Sequence, residues 1–156
     1  MPTAPFGARR GDYEISTDPA RLDFDAVHAY LTRSYWSPGI SRALVERAAA
    51  GSLCFGLYRG DEQVGYARVI SDQATFAYLC DVYVLEDHRG QGLSKWLMQA
   101  IQAHPGMQHL RRFMLATRDA HGLYAGFGFT PLAHPERLME IVVPDAHLRA
   151  AAAADD

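Results

Sequence analysis

Residues 78–104 read YLCDVYVLEDHRGQGLSKWLMQAIQAH: an apolar run, a short polar turn and a second apolar pattern. The first part is rich in β-forming residues with apolar neighbours on both sides, which predicts a buried central strand. From Leu93 onward, apolar residues recur at the spacing of one helical face, and Pro105 and Gly106 then end the pattern. The stretch therefore predicts a strand, a tight turn and an amphipathic helix in direct succession.

The turn contains Gly90 and Gly92 and leads directly into the helix. The first N–H groups of a helix have no partner within it, and glycines let a backbone approach a phosphate closely. Arg89 can add side-chain donors to these amides. The turn is interpreted as a pyrophosphate cradle, with the alternative that the glycines only connect strand and helix tightly.

Two motifs, Val82-Tyr83-Val84 followed by the run from Arg89 to Ser94 and the sequence AHGLYAGFGF at residues 120–129, together resemble those of the Gcn5-related N-acetyltransferases. Val82-Tyr83-Val84 followed by Arg89-Gly90-Gln91-Gly92-Leu93-Ser94 is similar to the family's acetyl-coenzyme A signature, R/Q-x-x-G-x-G/A. The sequence AHGLYAGFGF at residues 120–129 is similar to the family's late A-x-x-L-Y-x-x-x-G-F stretch. The resemblance covers roughly residues 13–143 and implies a mixed α/β sheet flanked by helices.

The resemblance implies that acetyl-coenzyme A is the co-substrate. In the family, the strand before the turn binds the pantetheine arm and the turn binds the pyrophosphate. The implied cofactor-binding residues are Val82, Tyr83, Val84, Arg89, Gly90, Gln91, Gly92, Leu93, Ser94 and Thr117. Ser94 replaces the family's usual Gly or Ala, and Thr117 replaces a frequent Asn, so one phosphate contact and one pantetheine contact are in question.

Tyr124 resembles the family's general acid, which protonates the leaving coenzyme A thiolate. A phenol with a pKa of about 10 is a reasonable donor to a thiolate that is somewhat less basic. The alternative is a half-buried tyrosine that packs beside Phe127 and Phe129. The N–H of Val82 would hold the acetyl carbonyl, where negative charge develops during attack by the amine.

Asp81 is the candidate for a group that faces the substrate amine. The sequence CDVYV at residues 80–84 is similar to E-D-L-Y-V in polyamine-type acetyltransferases, but only half of the acidic pair is present. The alternative is a buried ion pair or hydrogen bonds to a nearby loop. Strict alternation puts Asp81 and Tyr78 on opposite faces of the strand, although a bulge near Val82 would change this.

An acceptor pocket is predicted from the loop sequence SYWSPG at residues 34–39, where Tyr35 and Trp36 are adjacent. With Tyr78 and Asp81 on the floor, two aromatic walls and one carboxylate would suit a small cationic or zwitterionic amine. The alternative is that both rings pack onto the core.

The remaining patterns predict one domain over residues 13–146, with flexible tails at 1–12 and 147–156. We expect strands at 13–16, 53–58, 63–70 and 112–117, helices at 24–33, 42–50 and 120–126, and two closing strands at 129–132 and 138–143. Asp23, Ser41 and Asp119 are placed to cap the helices that start at residues 24, 42 and 120.

The chain has 156 residues, a formal net charge of -3 and no run of Lys or Arg longer than a pair. This composition argues against nucleic-acid and membrane partners and favours a small-molecule substrate. Residues 1–12 contain no apolar leader region and no segment approaches eighteen uninterrupted apolar residues, so we expect a cytoplasmic protein, which could form a homodimer. Neither the seven histidines nor the two cysteines show metal-ligand spacing, so no metal and no disulfide are expected. A non-catalytic acyl-coenzyme A sensor and a general nucleotide-binding domain are the alternatives, and Tyr124 favours the enzyme.

Overall fold

The structure of the chain, a computed structural model, describes residues 4–149. Its six strands form one sheet in chain order, with antiparallel pairing from β1 to β5 and parallel pairing of β5 with β6. The strands are β1 (Gly7–Arg10), β2 (Tyr13–Ser16), β3 (Leu53–Arg59), β4 (Glu62–Ser71), β5 (Phe76–Val84) and β6 (Arg112–Leu115). This mixed sheet confirms the predicted α/β fold.

Helices α1 (Phe24–Leu31), α2 (Arg42–Ala50), α3 (Leu93–Ala103) and α4 (His121–Ala125) accompany the sheet. The side chains of Asp23 and Ser41 cap α1 and α2 as predicted, by accepting bonds from backbone N–H groups in the first turn. Parallel strands need a long crossover, and α3 supplies it between β5 and β6.

Apolar side chains bury both faces of the sheet. The stripe of α3 packs on one face, where Leu97 and Ile101 are fully buried, and we call this the α3-side core. On the other face Val27 and Leu31 of α1 pack with α2 and with Tyr66, forming the α1-side core. Fully burying one such aliphatic side chain contributes about 1.5–3 kcal/mol, so the two cores hold the sheet between the helices.

The amino-terminal segment differs from the prediction of a flexible tail. Residues 7–10 form β1, which pairs with β2 in the register of Ala8 with Ile15. The N–H of Phe6 also donates to the Thr17 hydroxyl at 2.8 Å. Hydrogen bonding to β2 makes residues 7–10 a strand, although their local Gly and Arg content led to the prediction of a tail. Of the predicted tails, 1–3 and 150–156 lie outside the described residues, and 146–149 form a helical turn.

The prediction of two closing strands is wrong, because residues 129–132 and 138–143 are not in a strand. A single turn of 3-10 helix, Pro135–Arg137, separates them. Asp119 is not the cap of α4 either. The Thr117 hydroxyl instead accepts the N–H of Ala120 at 3.1 Å.

Candidate active site

A bulge in β5 sets the direction of the candidate site. Tyr83 pairs with Tyr66 and Cys80 with Arg68, so β5 has one residue more than β4 between these pairs. Asp81 lies in the bulge with φ of 54°, a left-handed conformation that Asp tolerates better than most residues. Side chains normally alternate between the two faces of a strand, and the extra residue in β5 reverses this alternation. Asp81 can therefore lie on the same face of the sheet as side chains that precede the bulge.

β5 and β6 stop pairing just before the bulge. Their pairing covers Phe76 to Leu79 of β5, whereas β5 itself continues to Val84. Within residues 4–149, the backbone of 80–84 therefore has no strand partner on the β6 side. We call this unpaired side of β5 the opening between β5 and β6, and it ends at the turn before α3.

The glycine turn has the backbone that the sequence suggested. Gly90 and Gly92 have φ of 81° and 76°, which disfavours any L side chain. A Cβ at Gly90 would meet no atom within 4 Å, so the space beside the turn is open. Gly92 begins α3 without a side-chain cap, and the first amides of the helix are left for a ligand. These features fit a pyrophosphate.

Two arginines hold the turn, and one of them was missed by the sequence analysis. Arg89 donates from Nε to the carbonyl of Val84 at 2.9 Å and from Nη2 to the Tyr30 hydroxyl at 3.0 Å. Arg10 donates to the carbonyl of Gln91 at 2.6 Å, and its guanidinium lies over the Trp96 ring. Only the pairing of β1 brings Arg10 here, so no local sequence signal could have found it.

The other residues that the family resemblance implies for cofactor binding differ in the groups that they can present to a ligand. Tyr83 is buried, stacked on Tyr30 with ring centroids 4.0 Å apart, and Leu93 is also buried, so both can contribute only backbone groups. Val82 and Ser94 are half-buried. The Thr117 hydroxyl already accepts one bond from α4 and still has its own proton to donate.

Asp81 is held by two donors. Its Oδ2 accepts from Arg68 Nε at 2.8 Å, and its Oδ1 accepts from Trp36 Nε1 at 2.9 Å. The side chains of Arg68 and Asp81 are only 16% and 13% exposed. This is the ion pair that sequence analysis gave as the alternative for Asp81. Burial raises the pKa of the neighbouring Tyr78, and the charges of Cys80 and Asp81 raise it further.

The aromatic loop is not packed into the core. Tyr35 and Trp36 are 49% and 36% exposed, with their rings nearly perpendicular and 5.0 Å apart. Buried hydroxyls of Ser34 and Ser37 hydrogen-bond each other and fix the loop from below. The guanidinium of Arg118, which sequence analysis did not single out, lies 3.8 Å from the centre of the Tyr35 ring.

Tyr124 is half-buried on α4 and packs edge-on against Phe129 at 6.0 Å. Burial raises the pKa of its phenol, and the nearby Tyr35 raises it further, so the phenol stays protonated at neutral pH. Contacts connect Asp81 to Trp36 and Trp36 to Tyr35, and Tyr35 lies close enough to Tyr124 for its charge to raise the pKa of that phenol.

A cavity of about 820 Å³ lies beside β6 and α4. Thr117 and Tyr124 line it, together with the chain at Phe129 and Leu138. Its lining includes neither the glycine turn nor the end of β5. The cavity is therefore separate from the predicted pyrophosphate cradle.

Comparison with known proteins agrees with this geometry. The profile of the acetyltransferase (GNAT) domain matches residues 50–131. A Gibberella zeae protein named as a candidate acetyltransferase is 39% identical over 143 residues, covering 78% of this chain and 81% of that protein. The fold and its glycine turn define an acyltransferase of the α/β class. The chain belongs to the GNAT acetyltransferase family.

Solved structures show the same fold. A GNAT-family protein from Xanthomonas campestris is 54% identical, with a TM-score of 0.84 over 86% of this chain and 96% of its own. A Staphylococcus aureus protein of unknown function is 22% identical, with a TM-score of 0.66 over 84% of this chain and 98% of its own. The second likeness concerns the fold alone.

Three further observations concern residues 4–149. None of the helices described there is long and apolar enough to cross a membrane. That part of the chain brings together no cluster of three or more His, Cys, Asp or Glu side chains suited to a metal ion. Cys54 and Cys80 are free thiols.

Proposed function

We propose that this protein transfers the acetyl group of acetyl-coenzyme A to the primary amine of a small molecule, by direct attack within a ternary complex. The observation that carries the proposal is the opening between β5 and β6, which leads to the uncapped start of α3. A GNAT acetyltransferase needs such an opening for an extended cofactor. The choice of a small primary amine as acceptor and of acetyl-coenzyme A as donor is part of this proposal.

The backbone at Val82 and Val84 would bind the pantetheine arm, and the amides at Gly90, Gly92 and Ser94 would bind the pyrophosphate. Bound acetyl-coenzyme A would supply a thioester as the acetyl donor. The N–H of Val82 would be a fixed donor for the acetyl oxygen, and a donor of this kind contributes about 10²-fold or more to the rate.

Tyr124 would supply the proton that the leaving thiolate needs. A phenol is protonated at neutral pH, and burial and the proximity of Tyr35 raise the pKa of this one further. Asp81 would orient the acceptor ammonium rather than remove its proton, since Arg68 neutralises its charge and Trp36 occupies one oxygen. The ammonium would lose one proton to water before the free amine attacks the thioester carbonyl. When the C–S bond breaks and Tyr124 protonates the thiolate, the second proton released by the nitrogen would restore the Tyr124 phenol. Each carboxylate oxygen still has a free lone pair for the substrate.

The acceptor would lie against Tyr35, Trp36 and Tyr78. Arg118 lies over the Tyr35 ring and is an exposed cation at this wall. A positive group there favours a zwitterionic acceptor, whose ammonium would meet Asp81 and whose carboxylate would meet Arg118.

The test is a screen of amine acceptors with acetyl-coenzyme A, in which the released free thiol is measured. We expect turnover with small amino-acid-like amines, and Arg118→Gln should raise KM for acceptors that carry a carboxylate but not for matched amines that lack one. Absence of thiol release across the screen, with binding of acetyl-coenzyme A retained, would instead support a non-catalytic acyl-coenzyme A sensor.

A further inference from the structure

The hairpin of β1 and β2 places two side chains against the glycine turn. Arg10 and Tyr13 are directly opposed in the β1–β2 register, so their side chains lie on the same face of the sheet. Arg9 and Glu14 form the neighbouring pair on the other face, where Arg9 Nη2 lies 3.5 Å from Glu14 Oε2. The face that carries Arg10 and Tyr13 is the one that α3 covers.

Arg10 fixes one peptide unit of the turn. Its Nη2 donates to the carbonyl of Gln91 at 2.6 Å, and its guanidinium is held 5.3 Å from the centre of the Trp96 ring. In a trans peptide unit the carbonyl and the following N–H point in opposite directions. The N–H of Gly92 therefore points away from Arg10 and from the hairpin.

This N–H belongs to a set of amides that are open to a ligand. The N–H groups of Gly90, Gln91 and Gly92 donate to no acceptor within residues 4–149. Glycine adopts both signs of φ with little preference, so the peptide before Gly92 can turn over unless another group holds its carbonyl. A carbonyl oxygen turned toward a phosphate would repel it. The hydrogen bond from Arg10 opposes that rotation.

Tyr13 holds the side of the turn that faces β2. Its hydroxyl forms a hydrogen bond of 2.9 Å with Nδ1 of His88, a buried side chain, and Gln91 Nε2 donates to the same hydroxyl at 3.4 Å. Tyr13 packs against the α3-side core, and its backbone pairs with Arg59 of β3. Because these contacts are independent of the turn, the hairpin can hold the turn in place.

We propose that the β1–β2 hairpin is a brace that pre-organises the turn for a pyrophosphate, and that Arg10 and Tyr13 are positioning residues for cofactor binding. This role rests on the proposed function, since the pyrophosphate is that of acetyl-coenzyme A. An amide that already faces the ligand does not have to be ordered on binding, so the brace strengthens binding without contact to the reacting thioester. Neither residue belongs to the motifs that indicate the family.

Calorimetry with the full chain tests the brace by measuring Kd for acetyl-coenzyme A. Arg10→Met keeps an apolar side chain against Trp96 but loses the donor, and we expect Kd to rise about tenfold. Tyr13→Phe keeps the ring but loses the hydroxyl, and Kd should rise about threefold. The matched control is Arg9→Met, which removes the same charge from the opposite face of the strand and should leave Kd unchanged.

Two further measurements separate the brace from a general loss of structure and from a direct phosphate contact. S-acetylpantetheine carries the thioester but ends before the pyrophosphate, so its Kd, measured by NMR titration, should be equal in the wild type and in Arg10→Met. In the ligand-free protein, the amide of Gly92 should show a lower heteronuclear NOE in Arg10→Met than in the wild type, because its peptide is no longer held.

The outcomes distinguish the brace from the proposed function. An unchanged Kd for acetyl-coenzyme A in Arg10→Met would overturn the brace and leave the proposed function standing. Equal losses with acetyl-coenzyme A and S-acetylpantetheine, or an unchanged NOE at Gly92, would also overturn the brace. A wild type that binds no acetyl-coenzyme A would overturn both. A wild type that binds acetyl-coenzyme A without turnover would contradict the proposed function alone, and the comparison of Kd values would still decide the brace.

Discussion

Asp81 and Arg68 form the buried charge pair of the candidate site, and separating them is the most informative perturbation. Asp81→Asn removes the negative charge but keeps an oxygen for the N–H of Trp36. Asn also tolerates the positive φ of this position, so backbone strain does not enter the comparison. Arg68→Met removes the other charge and keeps most of the apolar stem.

The expected magnitude follows from the geometry. Two unit charges about 4 Å apart interact by about 4 kcal/mol at an effective dielectric constant of about 20. The residual exposure of 16% and 13% reduces this, because water screens part of the interaction. We therefore expect each single variant to lose about 3 kcal/mol of unfolding free energy, and the coupling between the two sites to be about 2–3 kcal/mol.

Urea denaturation of the wild type, both single variants and the double variant measures this coupling. The double variant should lose clearly less than the two single variants together, because a lone buried charge no longer remains. Additive losses, with a coupling below about 0.5 kcal/mol, would show that Asp81 is not neutralised by Arg68. In that case the argument against Asp81 as the proton acceptor would fail.

Three more predictions address the cofactor, the acid and the response to pH. Saturating acetyl-coenzyme A at about 100 times Kd should add about 2.7 kcal/mol of stability, and Gly92→Asp should abolish the thermal shift. The control Gly60→Asp, at a turn with φ of 59° far from the cradle, should retain that shift; equal loss in both variants would refute the cradle. Tyr124→Phe should lower kcat about 10²- to 10⁴-fold with Kd for acetyl-coenzyme A nearly unchanged, and near-normal turnover would reject its role as acid. The hydrogen bond from Arg33 lowers the pKa of Glu86 to about 2. Stability from this pair is therefore present above the unfolded pKa of Glu and is lost as pH falls from about 4.5 to about 2. Glu86→Gln should flatten the dependence of Tm on pH in that window, and an unchanged profile would count against the pair.

The sequence by itself determined the central strand, the glycine turn and the crossover helix. Each of these rests on local chemistry: apolar runs, the need of Gly90 and Gly92 for positive φ, and the stripe that begins at Leu93. The helix caps at Asp23 and Ser41 are local as well. In each case the side chain accepts a hydrogen bond from the backbone N–H three residues later. For the same reason the motifs around Gly90 and Tyr124 sufficed to indicate the family.

The tertiary structure decided what depends on partners distant in the chain. Strand β1 exists because β2 offers an edge, and it brings Arg10 to the turn across 81 positions of sequence. Residues 138–143 have the composition of a strand but pair with no strand among residues 4–149. A bulge in β5 sets the direction of the Asp81 side chain. Folding brings Arg68 to balance the charge of the carboxylate and Trp36 to donate a hydrogen bond to it, and these donors decide what Asp81 can do.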